Sequence, residues 1–328
     1  MERVLIVAPN WLGDAVMALP AVADVRSGRP GASIAIAARA SVAPLFALVP
    51  GVELASSLSG FDTAILLPNS FHSAMRVARA GVPERWGYRT DWRGMLLTRA
   101  IDRAPAGVHQ IDYYRHLVAS LGFVNGAPAP RLDVSSDVRT AGAAQLTRAG
   151  WDGRAPLVAI APGAAYGSAK RWPPAAFADL AASLAGDGVG MAMVGAASDR
   201  ATAAEVTHEL RGRATLIDVV GKTDIPALAG VLSNCRALVA NDSGALHLAA
   251  ALGVSVTAVF GPTDERLSAP RSRQSSVASH QSVTSHQSVV LTNHTWCRPC
   301  GLRDCPLDHA CMLGISAADA AAATRTML

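Results

Sequence analysis

Residues 238–263 constrain the fold more than any other stretch of the sequence, because they read as a strand, a polar loop, a helix and a second strand. Both strand segments are almost wholly apolar, which is typical of strands buried on both faces of a parallel sheet. The helical segment between them supplies the crossover connection that two parallel strands require. The stretch therefore predicts a parallel α/β sheet with a polar loop at the carboxyl end of one strand.

The same alternation of strands and helices occurs twice along the chain. The predicted strands lie at 3–8, 33–38, 62–67, 157–161, 190–194, 215–219, 237–240 and 255–260. A segment rich in Pro, Gly and Ala at 122–137 is the best candidate for a linker. We predict two α/β domains, residues 1–150 and 151–328, with ligands at the carboxyl ends of the strands in a cleft between the domains.

Composition and charge argue against several classes of protein. The 328-residue chain carries a net charge of +4 but has no Lys/Arg block of the kind that binds nucleic acid. Mild basicity fits an anionic substrate or the face of an acidic membrane. The sequence shows neither an uninterrupted apolar run long enough to span a bilayer nor a signal-peptide pattern at its start. We therefore expect a cytoplasmic protein that does not bind nucleic acid.

The loop that follows the strand at 237–240 has the composition of a phosphate site. Asp242 and Ser243 are favoured helix caps, and Gly244 allows the backbone to approach a ligand closely. A helix start also presents unpaired N–H groups that attract phosphate. His247 lies one turn further on, inside an otherwise apolar helix. These residues either cap a core helix or bind a ligand, and the histidine favours the ligand.

A second polar loop follows the strand at 157–161. It is rich in glycine and contains Gly163, Ser168 and Lys170. Lys170 is one of only two lysines in the chain, and it places a compact positive charge where a pyrophosphate would bind. A solvated Lys-Arg pair on the surface is the alternative. The glycine-rich loop at the end of a strand favours the phosphate contact.

The corresponding loop of the first half carries a carboxylate. Asp14 follows Asn10 and Trp11 at the start of an apolar helix. A carboxylate in this position is usually a helix cap. In a cleft that faces a sugar donor, Asp14 would instead accept the proton of an acceptor hydroxyl as a general base. Asn10 and Trp11 would then bind the acceptor, Trp11 by stacking on a sugar ring.

Four cysteines, Cys297, Cys300, Cys305 and Cys311, lie close together near the end of the chain. They are not expected to form disulfides in a cytoplasmic protein. The first pair has the spacing of zinc ligands, but the later spacings are too compact and irregular for a zinc ribbon. We therefore predict no metal site and keep structural zinc as the alternative. Cys235, just before a predicted strand, is interpreted as a core thiol.

Residues 275–290 contain a tandem Ser-Val-x-Ser-His-Gln repeat. Two copies are too few to build a repeat architecture. We interpret the segment as a flexible surface insertion.

Taken together, these motifs resemble the bacterial ADP-heptose:lipopolysaccharide heptosyltransferases, most closely the heptosyltransferase II group. The Asn-Trp-Leu-Gly-Asp start and the cysteine-rich tail favour that group. The combination is specific, although each motif alone is weak. The matching segments are 10–17, 67–73, 162–173, 241–253 with 260–263, and 296–312.

The resemblance implies a GT-B glycosyltransferase fold, with two Rossmann-like domains facing a cleft, the first binding the acceptor and the second the nucleotide sugar. It implies inverting transfer of L-glycero-D-manno-heptose from ADP-heptose to the first heptose of the lipopolysaccharide inner core, with Asp14 as the base and no cofactor. The donor contacts are assigned to Gly163, Ser168, Lys170, Asp242, Ser243, Gly244 and His247. The acceptor contacts are assigned to Asn10, Trp11, Gly13, Asn69, Ser70 and His72.

Further expectations concern the acceptor and its membrane. Arg89 and Arg93 are additional candidates for contact with an acidic acceptor, and His72 stands where the family often has lysine. The acceptor is expected to be heptosyl-Kdo2-lipid A, reached by peripheral contact with the inner face of the cytoplasmic membrane. Two alternatives stay open: a related heptosyltransferase that uses another core sugar or a protein hydroxyl, and a non-catalytic nucleotide-binding or zinc-stabilised protein.

Overall fold

The computed structural model describes residues 1–124, 126–271 and 288–328. The chain forms two compact units: Met1–Leu132 with Arg266–Ser268, and Asp133–Glu265 with Ala269–Leu328. The boundary therefore lies after Leu132, earlier than the predicted division at residue 150. The reason is close helix packing, because a side chain at Gly142 would meet the backbone carbonyl carbon of Gly230 at 2.2 Å, and both glycines belong to the second unit.

The first unit is built on a six-stranded sheet whose neighbouring strands all pair in parallel. Its strands are β1 (Arg3–Val7), β2 (Ser33–Ala37), β3 (Glu53–Leu54), β4 (Thr63–Leu66), β5 (Glu84–Tyr88) and β6 (Arg99–Ile101), in the order β3-β2-β1-β4-β5-β6. Its helices are α1 (Leu12–Met17), α2 (Leu19–Gly28), α3 (Ala43–Phe46), α4 (Phe71–Arg79) and α5 (Gln110–Ser120), with a 3-10 helix at Arg93–Leu96.

The second unit repeats the architecture with a second parallel sheet. Its strands are β7 (Leu157–Ala161), β8 (Gly190–Met193), β9 (Leu216–Asp218), β10 (Ala237–Asn241), β11 (Ser255–Phe260) and β12 (Ser288–Thr292), in the order β12-β11-β10-β7-β8-β9. The remaining helices are α6 (Ser136–Arg148), α7 (Pro174–Gly186), α8 (Arg200–Leu210), α9 (Ile225–Leu232), α10 (Gly244–Ala251), α11 (Glu265–Ser268), α12 (Ala310–Leu313) and α13 (Ala317–Arg325), with 3-10 helices at Ser168–Lys170 and Ala197–Asp199.

Each sheet has one point at which the strand order reverses. In the first sheet this point lies between β1 and β4, and in the second between β7 and β10. Loops that leave adjacent strands in opposite directions open a crevice at the carboxyl ends of those strands. All four predicted binding loops follow these four strands, so the topology brings them together in pairs within each unit.

The predicted strands are confirmed, and the two strands of the stretch at 238–263 are buried along their whole length. The short or charged strands β3, β5 and β6 were not predicted, because they lack an apolar run, and β12 was not predicted, because residues 288–290 were interpreted as part of the insertion. The single apolar helix predicted to start at Asp14 is two helices, α1 and α2, separated at Ala18. Pro20 explains the break, because its ring favours the first turn of a new helix over the interior of an existing one.

Two further points concern the chain as a whole. Residues 275–287 of the Ser/His/Gln repeat lie outside the described residues, whereas residues 288–290, predicted as part of a flexible insertion, begin the paired strand β12. None of the helices in the described ranges is both long and apolar enough to cross a bilayer.

Candidate active site

The switch point of the second unit is held together by Asn241, the last residue of β10. Its side chain is fully buried; Nδ2 donates to the carbonyl of Pro162 at 2.8 Å, and Oδ1 accepts from the backbone N–H of Trp172 at 3.0 Å. Trp172 is itself buried and donates from its indole to the carbonyl of Ile315. The two ends of the glycine-rich loop are thus fixed to the end of the neighbouring strand, a positioning role that motif reading did not assign to Asn241.

Asp242 and Lys170 form a buried ion pair at this point. Lys170 Nζ donates to Asp242 Oδ2 at 2.6 Å, and Thr263 Oγ1 donates to the same oxygen at 2.8 Å. His247 Nε2 lies 3.7 Å from the other carboxylate oxygen. Burial by itself would raise the pKa of Asp242, but the nearby His247 and the charge and hydrogen bond of Lys170 outweigh burial and hold that pKa well below its usual range. Asp242 is therefore ionised at neutral pH and fixes the Lys170 ammonium in place.

Ser243 and Gly244 begin the eight-residue helix α10. Ser243 is the N-cap residue, yet its side chain accepts no capping hydrogen bond. Its hydroxyl is buried and, within the described part of the chain, has no hydrogen-bond partner. A buried hydroxyl beside the free amides of a helix start is costly unless a ligand pairs with it. The structure thus brings Lys170, Asp242, Ser243, Gly244 and His247 together at the start of α10.

Two other predicted donor residues have partners within the protein. A side chain at Gly163 would meet the carboxylate of Asp199 at 2.2 Å, so this glycine makes room for Asp199, which also accepts from the N–H of Ala196. Ser168 Oγ donates to Asp304 Oδ1 at 2.7 Å. Sequence reasoning assigned no role to Asp199, which lies outside the matching segments, or to Asp304, which lies among the cysteines of 296–312.

The glycine-rich loop rests on the cysteine-rich segment of the same unit. Ala169 donates from its N–H to the carbonyl of Arg303 at 2.9 Å, and Tyr166 donates from its hydroxyl to the carbonyl of Gly301. Two cations lie against the Tyr166 ring, with Lys170 Nζ 4.9 Å and the Arg303 guanidinium 5.0 Å from its centroid. The cysteine-rich segment therefore supports the loop that carries Lys170.

We expect Gly167→Ala to weaken donor binding tenfold or more. A tenfold loss corresponds to roughly 1.4 kcal/mol of binding free energy. A Cβ at this position would meet the Arg303 carbonyl oxygen at 2.2 Å and force the loop away from its support. Isothermal titration with ADP measures the effect. Gly186→Ala is the control, because a Cβ there meets nothing within 4 Å. Equal ADP affinities for the two variants would show that the contact does not position the loop.

In the first unit, Asp14 lies in the first turn of α1 and is partly exposed. Tyr114, buried on α5, donates from its hydroxyl to Asp14 Oδ1 at 3.4 Å. Burial, together with the nearby charge of Asp14, raises the pKa of Tyr114 well above its ordinary value. Tyr114 therefore stays protonated and orients the carboxylate, and the five-residue Asn-Trp-Leu-Gly-Asp motif gave no signal for this partner. Trp11, the residue before α1, is half exposed, and Gly13 is the second residue of that helix.

A pocket of about 540 Å³ opens at the carboxyl ends of β1 and β2, beside α4. Among the predicted acceptor residues, Asn10, Ser70 and His72 line it. Arg39 and Arg76 also line it, although neither was predicted. Because three of these side chains are basic, the pocket suits an acidic ligand.

The other acceptor-loop residues have structural partners. Asn69 donates from Nδ2 to the Tyr113 hydroxyl at 2.8 Å, and its buried Oδ1 has no hydrogen-bond partner among the described residues. Ser70, besides lining the pocket, caps α4 by accepting from the N–H of Ser73. The two residues thus fix the start of α4 and leave one amide oxygen unsatisfied.

Arg93 does not face solvent, and its prediction as an acceptor contact is wrong. The residue is fully buried and donates to the carbonyls of Tyr88 and Pro68, at the ends of β5 and β4. Burial lowers its pKa to about 10. Arg93 therefore anchors the segment that follows β5. Arg89, the other candidate, is exposed, with its Nε 3.9 Å from Asp102.

The cysteine cluster gives no metal site in this structure. In residues 1–124, 126–271 and 288–328, no group of three or more His, Cys, Asp or Glu is placed to hold a metal ion. Cys311 is buried in the core of the second unit beside Met312, and burial raises its pKa. Cys235 is buried as predicted, and burial raises its pKa to about 12.

Comparison with known proteins decides the family. Residues 53–310 match the family model of glycosyltransferase family 9 (heptosyltransferase). The chain belongs to glycosyltransferase family 9. It is therefore a glycosyltransferase, and the resemblance drawn from the motifs is confirmed. The matched range includes both loops of the second unit and the loop that precedes α4.

Family 9 relatives agree with this assignment in sequence and in fold. Lipopolysaccharide heptosyltransferase 2 of Escherichia coli K12 is 29% identical over 307 residues, which cover 84% of this chain and 87% of the relative. The solved structure of E. coli ADP-heptose lps heptosyltransferase II matches with a TM-score of 0.82 and 24% identity, covering 100% of this chain and 98% of that one. An E. coli heptosyltransferase solved with ADP matches with a TM-score of 0.72 and 18% identity, covering 99% and 100%. The predicted GT-B fold class is confirmed by these matches.

Proposed function

We propose that the protein transfers L-glycero-D-manno-heptose from ADP-heptose to the first heptose of the lipopolysaccharide inner core, with inversion at the anomeric carbon. Family membership and the relative named lipopolysaccharide heptosyltransferase 2 support this reaction. The observation that carries it is the buried Lys170–Asp242 pair at the start of α10, beside the Ser243 hydroxyl, which has no hydrogen-bond partner among the described residues. A fixed cation, a hydroxyl and free amides at one point suit a diphosphate.

The second unit is proposed to bind the donor. Lys170 and the amides at Ser243 and Gly244 contact the diphosphate, and Asp242 holds Lys170 in position through the 2.6 Å hydrogen bond. As the bond between the anomeric carbon and the phosphate oxygen breaks, its electron pair leaves with ADP. Fixed positive groups stabilise that developing charge without having to reorganise.

The first unit is proposed to bind the acceptor. The pocket lined by Arg39, His72 and Arg76 contacts the acidic groups of the saccharide. Asp14, oriented by Tyr114, accepts the proton of the attacking hydroxyl while its oxygen forms the new bond to the anomeric carbon. The reaction takes place at the inner face of the cytoplasmic membrane, where the lipid anchor of heptosyl-Kdo2-lipid A lies.

Release of ADP from ADP-heptose tests the proposal. Heptosyl-Kdo2-lipid A should support release, whereas Kdo2-lipid A, which lacks the first heptose, is the control acceptor and should not. Equal release with both acceptors would contradict the acceptor assignment. Tight binding of ADP-heptose without release in the presence of either acceptor would contradict the transfer reaction.

A further inference from the structure

Three large apolar side chains of the first unit are exposed close together. Trp92 is 90% exposed and Met95 is 82% exposed, in and beside the 3-10 helix that follows β5. Phe71, the first residue of α4, is 36% exposed. The N–H of Phe71 donates to Asp91 Oδ2 at 2.5 Å, which joins the start of α4 to the residue before Trp92. The three side chains therefore belong to one surface.

This surface is held rigidly. Asp91 and Trp92 have φ angles of 50° and 57°, a left-handed conformation that is costly for a bulky residue. The buried guanidinium of Arg93 fixes the next residue to the ends of β4 and β5. This backbone strain lowers the stability of the fold, and an exposed tryptophan side chain does not offset it, because the side chain buries no apolar surface. The exposed ring therefore points to a partner.

The charges around the three side chains select the partner. Arg76 and Arg79 are exposed on α4, which carries no acidic residue, and the Arg89 side chain lies against Gly94 of the 3-10 helix. Residues 71–103 contain seven arginines and three acidic residues, and five of the arginines are exposed, so an excess of positive charge remains at the surface although Arg93 is buried. Arginines around an indole and a thioether match the polar–apolar boundary of a bilayer with anionic lipids.

We propose that Phe71, Trp92 and Met95, with Arg76, Arg79 and Arg89, form a docking surface for an anionic lipid bilayer. Trp92 and Met95 insert at the level of the headgroups, and the arginines contact lipid phosphates. The proposal deepens the proposed function, because His72 and Arg76 of the same helix line the pocket assigned to the acceptor. The docked face thus places that pocket beside the membrane that holds a lipid-anchored acceptor.

Cosedimentation of the full chain with vesicles tests the docking surface. The vesicles contain phosphatidylcholine alone or with phosphatidylglycerol, and no saccharide acceptor, so the result does not depend on heptose transfer. The wild-type chain should bind the anionic vesicles at least about tenfold more tightly than the neutral ones, and raised salt should weaken that binding. The Trp92→Ala/Met95→Ala variant should lose at least tenfold in affinity for the anionic vesicles, and Met95→Ala alone should lose part of it.

The matched control is Trp296→Ala, since Trp296 is 89% exposed in the second unit. It should bind anionic vesicles within about twofold of wild type, and thermal unfolding should show that all variants are folded. Wild-type affinity in the double variant, or an equal loss in the control, would overturn the proposal. So would a wild-type dimer in sedimentation velocity that the double variant abolishes, because the surface would then bind a second copy of the chain.

Discussion

Replacing Asp14 with Asn is expected to lower the turnover number of heptose transfer by about 10²- to 10⁴-fold, the range typical of a general base. Asparagine has the same shape and still accepts a hydrogen bond from Tyr114, but it does not take up a proton from the acceptor hydroxyl. The KM values for donor and acceptor should change little, because the lost interaction is made only as the proton moves. Acceptor-dependent ADP release measures both parameters.

Glu53→Gln is the control for this substitution. Glu53 is an exposed carboxylate on β3 of the same unit, so its neutralisation should leave the turnover number unchanged. ADP binding to the Asp14→Asn variant, measured by titration, should equal that of wild type. A wild-type turnover number in Asp14→Asn would remove Asp14 from the mechanism without affecting the family assignment.

Lys170→Met is expected to lower kcat/KM for ADP-heptose by about 10²- to 10³-fold and the free energy of unfolding by about 3 kcal/mol. The variant removes the cation proposed to contact the leaving diphosphate. It also leaves the buried carboxylate of Asp242 with the hydrogen bond from Thr263 and with His247 3.7 Å away, but without its ammonium partner. Steady-state kinetics and denaturant unfolding measure the two effects separately.

The difference in free energy of unfolding between the wild type and Lys170→Met should depend on pH. Because the folded state lowers the pKa of Asp242, its ionised form stabilises the fold above the unfolded pKa of about 4, and this stability is lost as the pH falls further. The wild type and Lys170→Met should therefore differ most above about pH 4 and converge in stronger acid.

Arg213→Met is the matched control, because it removes a cation from an exposed ion pair. Arg213 and Asp179 are 2.7 Å apart, with side chains about half exposed, and such pairs contribute about 0–1 kcal/mol. Donor kinetics should not change in this variant. Equal losses of stability in Arg213→Met and Lys170→Met would show that the buried pair has no special role.

The sequence by itself determined the architecture and indicated the loops in which a ligand site is expected. Apolar runs such as 157–161 and 255–260 predict buried parallel strands, since only a sheet covered on both faces buries such segments. Polar loops after those strands predict where a ligand binds, because backbone amides are free at the start of the next helix. For this reason Lys170, Asp242, Ser243 and Gly244 were predicted from motif and spacing alone.

Only the tertiary structure decided which of these side chains are exposed and which residues hold them in place. The Tyr114–Asp14 contact joins residues 100 positions apart, and the Ser168–Asp304 contact joins residues 136 positions apart, so no local pattern encodes either one. Burial of Arg93 follows from the packing of three chain segments around its guanidinium, which periodicity does not report. The order of residues thus fixes which groups the chain carries, whereas long-range packing fixes their partners and their exposure.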